Sequence, residues 1–227
     1  VNVSQEIKVA VDAVVFSFKR DVGVRVLLIK RKAEPFIHRW VLPGGFVEND
    51  ESLERAVRRE LLEETHLKIN YLEQFFTFGR PERDPRGRVI SVAFFGLVKP
   101  GRTYVSGNDD DEEADWYPAD NLPDLAFDHL RIVETAIAKL SDRMRRQPLA
   151  FELLPSKFPF SDLEKVYKSL WQRPLDRRNF KKKIISLGIL EEQPEQIVKG
   201  RGRPANLFKF NKTRYFELKE SGWQFEV

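Results

Sequence analysis

The stretch whose reading decides the fold is GGFVENDESLERAVRRELLEETHL, Gly44 to Leu67. It predicts one amphipathic helix behind a glycine turn, yet charge falls where a buried face should be apolar. At roughly 100° per residue, Leu53, Ala56, Val57 and Leu61 share one side. Glu60 and Glu64 fall in the middle of that side and Glu63 at its margin, while Glu54, Arg55 and Arg58 take the opposite face. A carboxylate left unpaired in an apolar face is strongly unfavourable, so each must be neutralised, paired or coordinated. Pairing has an obvious partner in Arg59, four residues before Glu63. For a helix taken by itself pairing is the commoner outcome; coordination is the alternative, because hard oxygen ligands at this spacing suit Mg²⁺ or Mn²⁺, which also bind phosphates.

Outward from this helix, the first half of the chain alternates strands with helices. Val9–Phe18 and Val24–Lys30 are rich in β-branched residues and are separated by a turn-like KRDVG. YLEQFFTFG and Val89–Val98 are predicted as two further strands, joined by RPERDPRGR with its Pro, Asp and Gly turn residues. An acidic loop, NDDDEEADWYPADNLPDLAFDH, contains a short strand at Trp116–Tyr117. Asp128–Gln147 is predicted as a helix, with Leu130, Val133, Ile137 and Leu140 inward, Asp128 as cap and a basic last turn. Composition changes after Pro148, which places a domain boundary near 147–155 and domains at 1–147 and 148–227. The second domain is predicted as helix, helix, hairpin. SDLEKVYKSLW has Ser161 as cap and Leu163, Val166, Tyr167 and Leu170 inward; DRRNFKKKIISLG has Asp176 as cap, Phe180, Ile184 and Leu187 inward, and Gly188 as stop.

The 227 residues suffice for two domains, and 41% apolar content with 18 Phe and 4 Trp suffices for their cores. No apolar run is long enough to span a membrane and no basic-then-apolar signal segment is present, although the lack of a first Met suggests a trimmed start. The absence of cysteine excludes disulfides and thiolate metal sites and fits a cytoplasmic location. Charge is uneven. Residues 1–147 hold 23 Lys+Arg and 25 Asp+Glu, a net −2, leaving 16 and 10, a net +6, for 148–227. An acidic front with a basic back that meets phosphates is the implied division.

The flanks of the glutamate helix favour coordination. Gly45, five residues, Glu51, seven residues, then Arg59-Glu60-Leu61-Leu62-Glu63-Glu64, with Leu67 at the closing aliphatic position, resembles the Nudix box of diphosphate hydrolases. One position departs: His66 stands where that box has its second glycine, which is expected to end the helix in a left-handed conformation. His tolerates that region at some cost. The resemblance implies an α/β/α sandwich, with Glu60, Glu63 and Glu64 holding Mg²⁺ or Mn²⁺ and carrying catalysis with Arg59. Arg59 and Glu51 are implied to orient loop and helix. The substrate class would be a nucleoside diphosphate linked to another group, attacked at phosphorus by an activated water. No base is singled out: Glu64 serves only if the metal leaves it free, and Glu112 and Glu113 are candidates from outside the box.

The basic back contains Arg177, Arg178, Asn179, Lys181, Lys182 and Lys183 on one helix, the makings of a groove-reading helix, although a merely solvated face has the same composition. Lys199–Pro204 includes Arg201-Gly202-Arg203-Pro204, which resembles the core of an AT-hook, where arginines lie along a narrow minor groove. Together with the two helices it looks like the wing of a winged helix-turn-helix. A Nudix-like domain followed by a winged helix resembles the Nudix-related transcriptional regulators (NrtR) of bacteria. The resemblance implies repression of NAD-metabolism genes, operator DNA as partner, ADP-ribose as effector and a homodimer on two half-sites. Within it, Gly45, Arg80, Arg83 and Arg86 are candidate ligand contacts, with Arg83 and Arg86 foremost for the diphosphate. The same architecture includes arabinose-responsive regulators, and an ADP-ribose pyrophosphatase with an accessory domain is the competing reading.

Overall fold

The structure is a computed structural model, and it describes residues 6–101, 113–171, 174–198 and 204–227. Glu112, Arg201 and Arg203 lie outside the described residues. The chain forms two compact units, residues 1–17 with 25–137, and residues 18–24 with 138–227. This division falls within a helix and assigns a distant turn to the second unit, whereas composition changes only near 147.

In the first unit, β1 (Lys8–Lys19) and β6 (Val89–Val98) run parallel at the centre of a seven-stranded sheet. β2 (Gly23–Lys30) and β3 (Trp40–Val41) continue it on one side and β5 (Tyr71–Phe78) closes the other. The short β4 (Gly44–Phe46) pairs with β1, and β7 (Ala114–Pro118) with β2. Strand alternation sorts the side chains of β1. Val11, Ala13 and Val15 join Ala56, Val57 and Leu61 of α1 (Leu53–Thr65) in one core, which leaves Asp12 directed to the other face. β5 carries a bulge between Gln74 and Phe76.

Helix α1 is bounded as its residues dictate. The Ser52 hydroxyl accepts the Arg55 N–H, and His66 ends the helix at φ 56°, with its own N–H bonded to the Leu62 carbonyl. Histidine therefore adopts the left-handed turn expected of the missing glycine. α2 (His129–Arg146) buries Ile132, Val133, Ala136, Ile137, Leu140 and Met144. Leu130, expected inward, is 50% exposed, so the stripe is rotated towards Ile132.

The second unit contains a 3₁₀ turn (Leu149–Glu152), β8 (Phe158–Pro159), α3 (Phe160–Trp171), α4 (Arg177–Ser186), β9 (Leu190–Ile197), β10 (Ala205–Phe210) and α5 (Lys212–Glu220). β8, β10 and β9 form an antiparallel sheet in that order. Leu163, Val166, Tyr167 and Leu170 of α3 are buried as the helical spacing predicts, and so are Phe180 and Ile184 of α4. Tyr167 and Phe180 rings meet at 4.9 Å between centroids. The Asp176 carboxylate caps α4 by accepting the Arg178 and Asn179 N–H groups, and Gly188 follows it at φ +68°. Ser161 lies inside the first turn of α3, because the helix begins one residue earlier than its expected cap. The arrangement is a winged helix. β3, β4, β8 and α5 are too short or too weakly patterned to be predicted; α5 buries none of its residues.

Candidate functional site: a cleft beside the glutamate helix

A cleft of about 160 Å³ opens in the first unit, lined among others by Ala10 and Asp12 of β1, Gly44 and Gly45, Glu64, Arg83, Asp84 and Arg86, Phe127 and His129. The two glycines are there because a β1 carbonyl passes close to one and the Glu60 carboxylate close to the other. A Cβ on Gly44 would sit 2.1 Å from the Val11 carbonyl oxygen, and one on Gly45 would sit 2.2 Å from a Glu60 carboxylate oxygen. Helix α1 grips this turn from below: the Glu64 carboxylate accepts the Gly44 N–H at 2.8 Å.

Arg59 organises the glutamates. Its guanidinium bonds Glu51 at 2.7 Å, Glu60 at 2.8 Å, Glu63 at 3.1 Å and the Phe46 carbonyl at 3.2 Å. The Glu51 side chain is only 5% exposed, and its bond to Arg59 holds it below the usual carboxylate range. Burial pushes Glu60 the other way, against the pull of Arg59. Glu63 stays 58% exposed. The expected convergence of Glu60, Glu63 and Glu64 on a divalent cation is not what this arrangement presents. Among the described residues no group of three or more His, Cys, Asp or Glu side chains is set to hold a metal ion. The physical reason is that Arg59 draws in Glu60 and Glu63 while Glu64 turns to the Gly44 amide. As placed, with Arg59 holding Glu60 and Glu63 and the Gly44 amide holding Glu64, these carboxylates do not converge to fit a metal.

The cleft floor is a buried polar network. Asp12 accepts from the Ser91 hydroxyl and from Arg83 at 3.4 Å, and Arg83 also bonds Asp128 at 2.8 Å. His129 accepts the Leu42 N–H on Nδ1 at 2.9 Å and directs Nε2 to Asp12 at 3.5 Å. Arg83, expected to reach a diphosphate, has a side chain only 3% exposed and is a structural cation between two aspartates. Asp128 remains the residue before α2, its carbonyl accepting the Ile132 N–H, but its carboxylate faces Arg83. Arg86 does line the cleft, bonded to Asp84 at 2.7 Å and lying over the Phe46 and Phe127 rings at 4.9 and 5.5 Å. Arg80 is exposed and does not line the cleft. Arg31 and Lys32 line it instead. Their signal in the sequence was position: two cations directly follow an apolar strand. Glu113 pairs with Lys30 at 2.8 Å.

In the second unit, α4 exposes Arg178, Lys182 and Lys183 opposite buried Phe180 and Ile184. Arg177 is tied to Glu164 at 2.9 Å and the Asn179 amide to Asp176 at 2.7 Å, so these two are held by the protein itself.

The chain matches the NUDIX domain family over residues 6–136 and the NrtR DNA-binding winged helix domain over residues 150–210. It is 33% identical over 204 residues to the ADPR responsive transcriptional repressor NtrR of Acinetobacter baylyi, spanning 88% of this chain and 80% of that protein. The chain belongs to the NrtR family. Among solved structures, NrtR of Shewanella oneidensis complexed with a 27mer DNA superposes with a TM-score of 0.76 at 31% identity, covering 96% of this chain and 97% of that one. The Nudix half of this NrtR-family chain also resembles an ADP-ribose pyrophosphatase of Methanocaldococcus jannaschii, 46% identical over 110 residues, 48% of this chain and 64% of that protein. Among the described residues no helix is long and apolar enough to cross a membrane.

Proposed function

We propose that this chain is a transcriptional repressor of NAD-metabolism genes that binds operator DNA through its winged helix, as a homodimer, and senses ADP-ribose in the Nudix cleft. The observation that carries the reading is the likeness to a repressor across both units at once, 88% of the chain, with a basic face on α4 in one unit and a cleft in the other. Arg31, Lys32 and Arg86 supply positive charge at the cleft for a diphosphate, and the rings of Phe46 and Phe127 add aromatic surface to its wall. Operator binding draws on Arg178, Lys182 and Lys183, with Arg201 and Arg203 of the Arg-Gly-Arg-Pro sequence. A mobility-shift titration of an AT-rich palindrome with and without ADP-ribose tests this reading. DNA affinity that ADP-ribose leaves unchanged removes it as effector and favours a sugar.

A second reading is favoured by the 46% identity to a pyrophosphatase and by retention of Arg59, Glu60, Glu63 and Glu64. It adds hydrolysis of the effector with Mg²⁺ or Mn²⁺ supplied, and requires Arg59 to yield Glu60 and Glu63 to the cation. Product analysis of the same reaction tubes decides it: intact ADP-ribose in the presence of Mg²⁺ rules hydrolysis out.

A further inference from the structure

Strand β1 starts beside the cleft and ends in the other compact unit. Ala10 and Asp12 line the cleft, whereas the turn after β1 packs with residues 138–227. That turn is gripped by one face of α3. The Arg20 guanidinium donates to Asp162 at 2.8 Å, and Asp162 is 1% exposed. Lys165 donates to the Arg20 carbonyl at 2.8 Å. The Ser169 hydroxyl accepts the Val24 N–H at 3.4 Å, and a Cβ on Gly23, at φ +109°, would come within 2.8 Å of that same oxygen. Asp162, Lys165 and Ser169 follow i, i+3, i+7 spacing, which puts all of them on one side of the helix. A carboxylate as buried as Asp162 demands its cation, so the partly exposed Arg20 guanidinium ties the turn to a charge buried within the second unit.

We infer that the β1–β2 turn, residues 19–24, is the element through which occupancy of the cleft alters the winged helix's affinity for DNA. The inference rests on the ligand-responsive repressor reading above. Between its two ends β1 is locked to β6 in unbroken register from Lys8 to Ser17, so a displacement at Asp12 is not absorbed by slippage along the strand. It arrives at Arg20, whose ion pair fixes the start of α3. Coupling of this kind needs a physical connection whose arrangement both sites bias, and the turn is one that neither DNA nor ligand has to touch.

The test uses the full chain with Arg20→Gln plus Asp162→Asn, which removes both charges and keeps hydrogen-bonding groups, and a second protein with Arg20→Asp plus Asp162→Arg. DNA affinity is measured with and without ADP-ribose, and ADP-ribose affinity with and without DNA. By reciprocity both ratios are equal in the wild type, on the order of 5–150-fold for ordinary allosteric coupling. The neutral pair is expected to keep both separate affinities within a few-fold and to bring both ratios close to one, with the swapped pair recovering part of the coupling. Wild-type ratios in a folded neutral pair overturn the inference. Hydrogen exchange of the wild-type 18–24 peptide gives an independent readout that does not depend on the effector. DNA alone is expected to slow it, and unchanged exchange overturns the role of the turn. If ADP-ribose leaves wild-type DNA affinity unchanged while exchange still responds to DNA, the effector assignment has failed and the turn has not.

Discussion

His129 and Leu42 are joined by a hydrogen bond that fixes a tautomer: the backbone N–H of Leu42 points at Nδ1 of the imidazole at 2.9 Å, so the proton sits on Nε2, facing Asp12. Burial pushes His129 below its ordinary value of 6.5, and nearby Arg83 adds to this against the opposing pull of Asp12. The folded protein therefore prefers the neutral ring more than the unfolded chain does. The unfolded state binds more protons below about pH 6.5, so the contribution of His129 to stability is complete above that pH and declines as pH falls towards the folded value. Urea unfolding at pH 7.5 and 5.5 checks this. Wild type is expected to lose more stability between those conditions than His129→Gln, and equal losses would show that His129 does not titrate in this window.

Gly44→Ala and Gly45→Ala are expected to differ although they are neighbours. The added methyl at Gly44 meets a backbone carbonyl of β1 that pairing holds in place, whereas at Gly45 it meets the end of the Glu60 side chain. Overpacking costs about 1–3 kcal/mol, and Gly44→Ala is expected at or above the top of that range, with Gly45→Ala below it. Glu60→Ala introduced with Gly45→Ala is expected to recover part of the loss. Denaturant midpoints with unchanged m-values provide the measurement, and equal costs at the two positions contradict the geometry.

Arg59→Met is expected to flatten the acid limb of the stability curve. Because Arg59 depresses Glu51 in the folded state, the stabilisation is present above the ordinary carboxylate value and is lost as pH falls through the lower folded one. Removing the cation removes that loss along with the stabilisation at neutral pH. Thermal melts from pH 7 to pH 3 measure both. A variant as stable as wild type at pH 7 would mean that the ion pairs of Arg59 contribute nothing there.

Neutralising Lys182 and Lys183 together is expected to weaken DNA binding across sequences alike. Each phosphate that the protein ceases to neutralise makes the slope of log affinity against log salt shallower by about 0.9, so the double variant is expected to change it by close to twice that amount. Arg177, already bound to Glu164, is expected to change the slope less than Arg178. Affinities by fluorescence anisotropy at several salt concentrations decide this, and a slope unchanged in the double variant would place α4 away from the DNA backbone.

Helix α1 was legible because local chemistry specifies it: a serine cap, a stripe at helical spacing, and a left-handed stop that histidine tolerates. The pairing of Arg59 with Glu63 was visible for the same reason, since the two lie one turn apart. The role of Arg83 was not, since nothing near it in the chain shows that Asp12, 71 positions away, waits in the sheet. Arginine-rich loops announce charge but do not reveal which member will find a buried partner. Arg20 and Asp162, 142 positions apart, were hidden likewise. Arg31 and Lys32 carry little signal of their role, because cations at a strand end are common and only the sheet order brings this end to the cleft. The second unit was legible in its helices, whose apolar positions are regular, and illegible in α5, which has no buried side to give it a period.

The bulge in β5 has a consequence for the protein in bulk. Among the described residues β5 is the outermost strand on its side of the sheet, and the step between Gln74 and Phe76 breaks its pairing register. An approaching strand that matched one half of β5 would be out of step with the other, so runaway edge-to-edge polymerisation has a poor template there. Deleting Phe75 to straighten the strand would restore a continuous ladder and, with it, a route to insoluble aggregates.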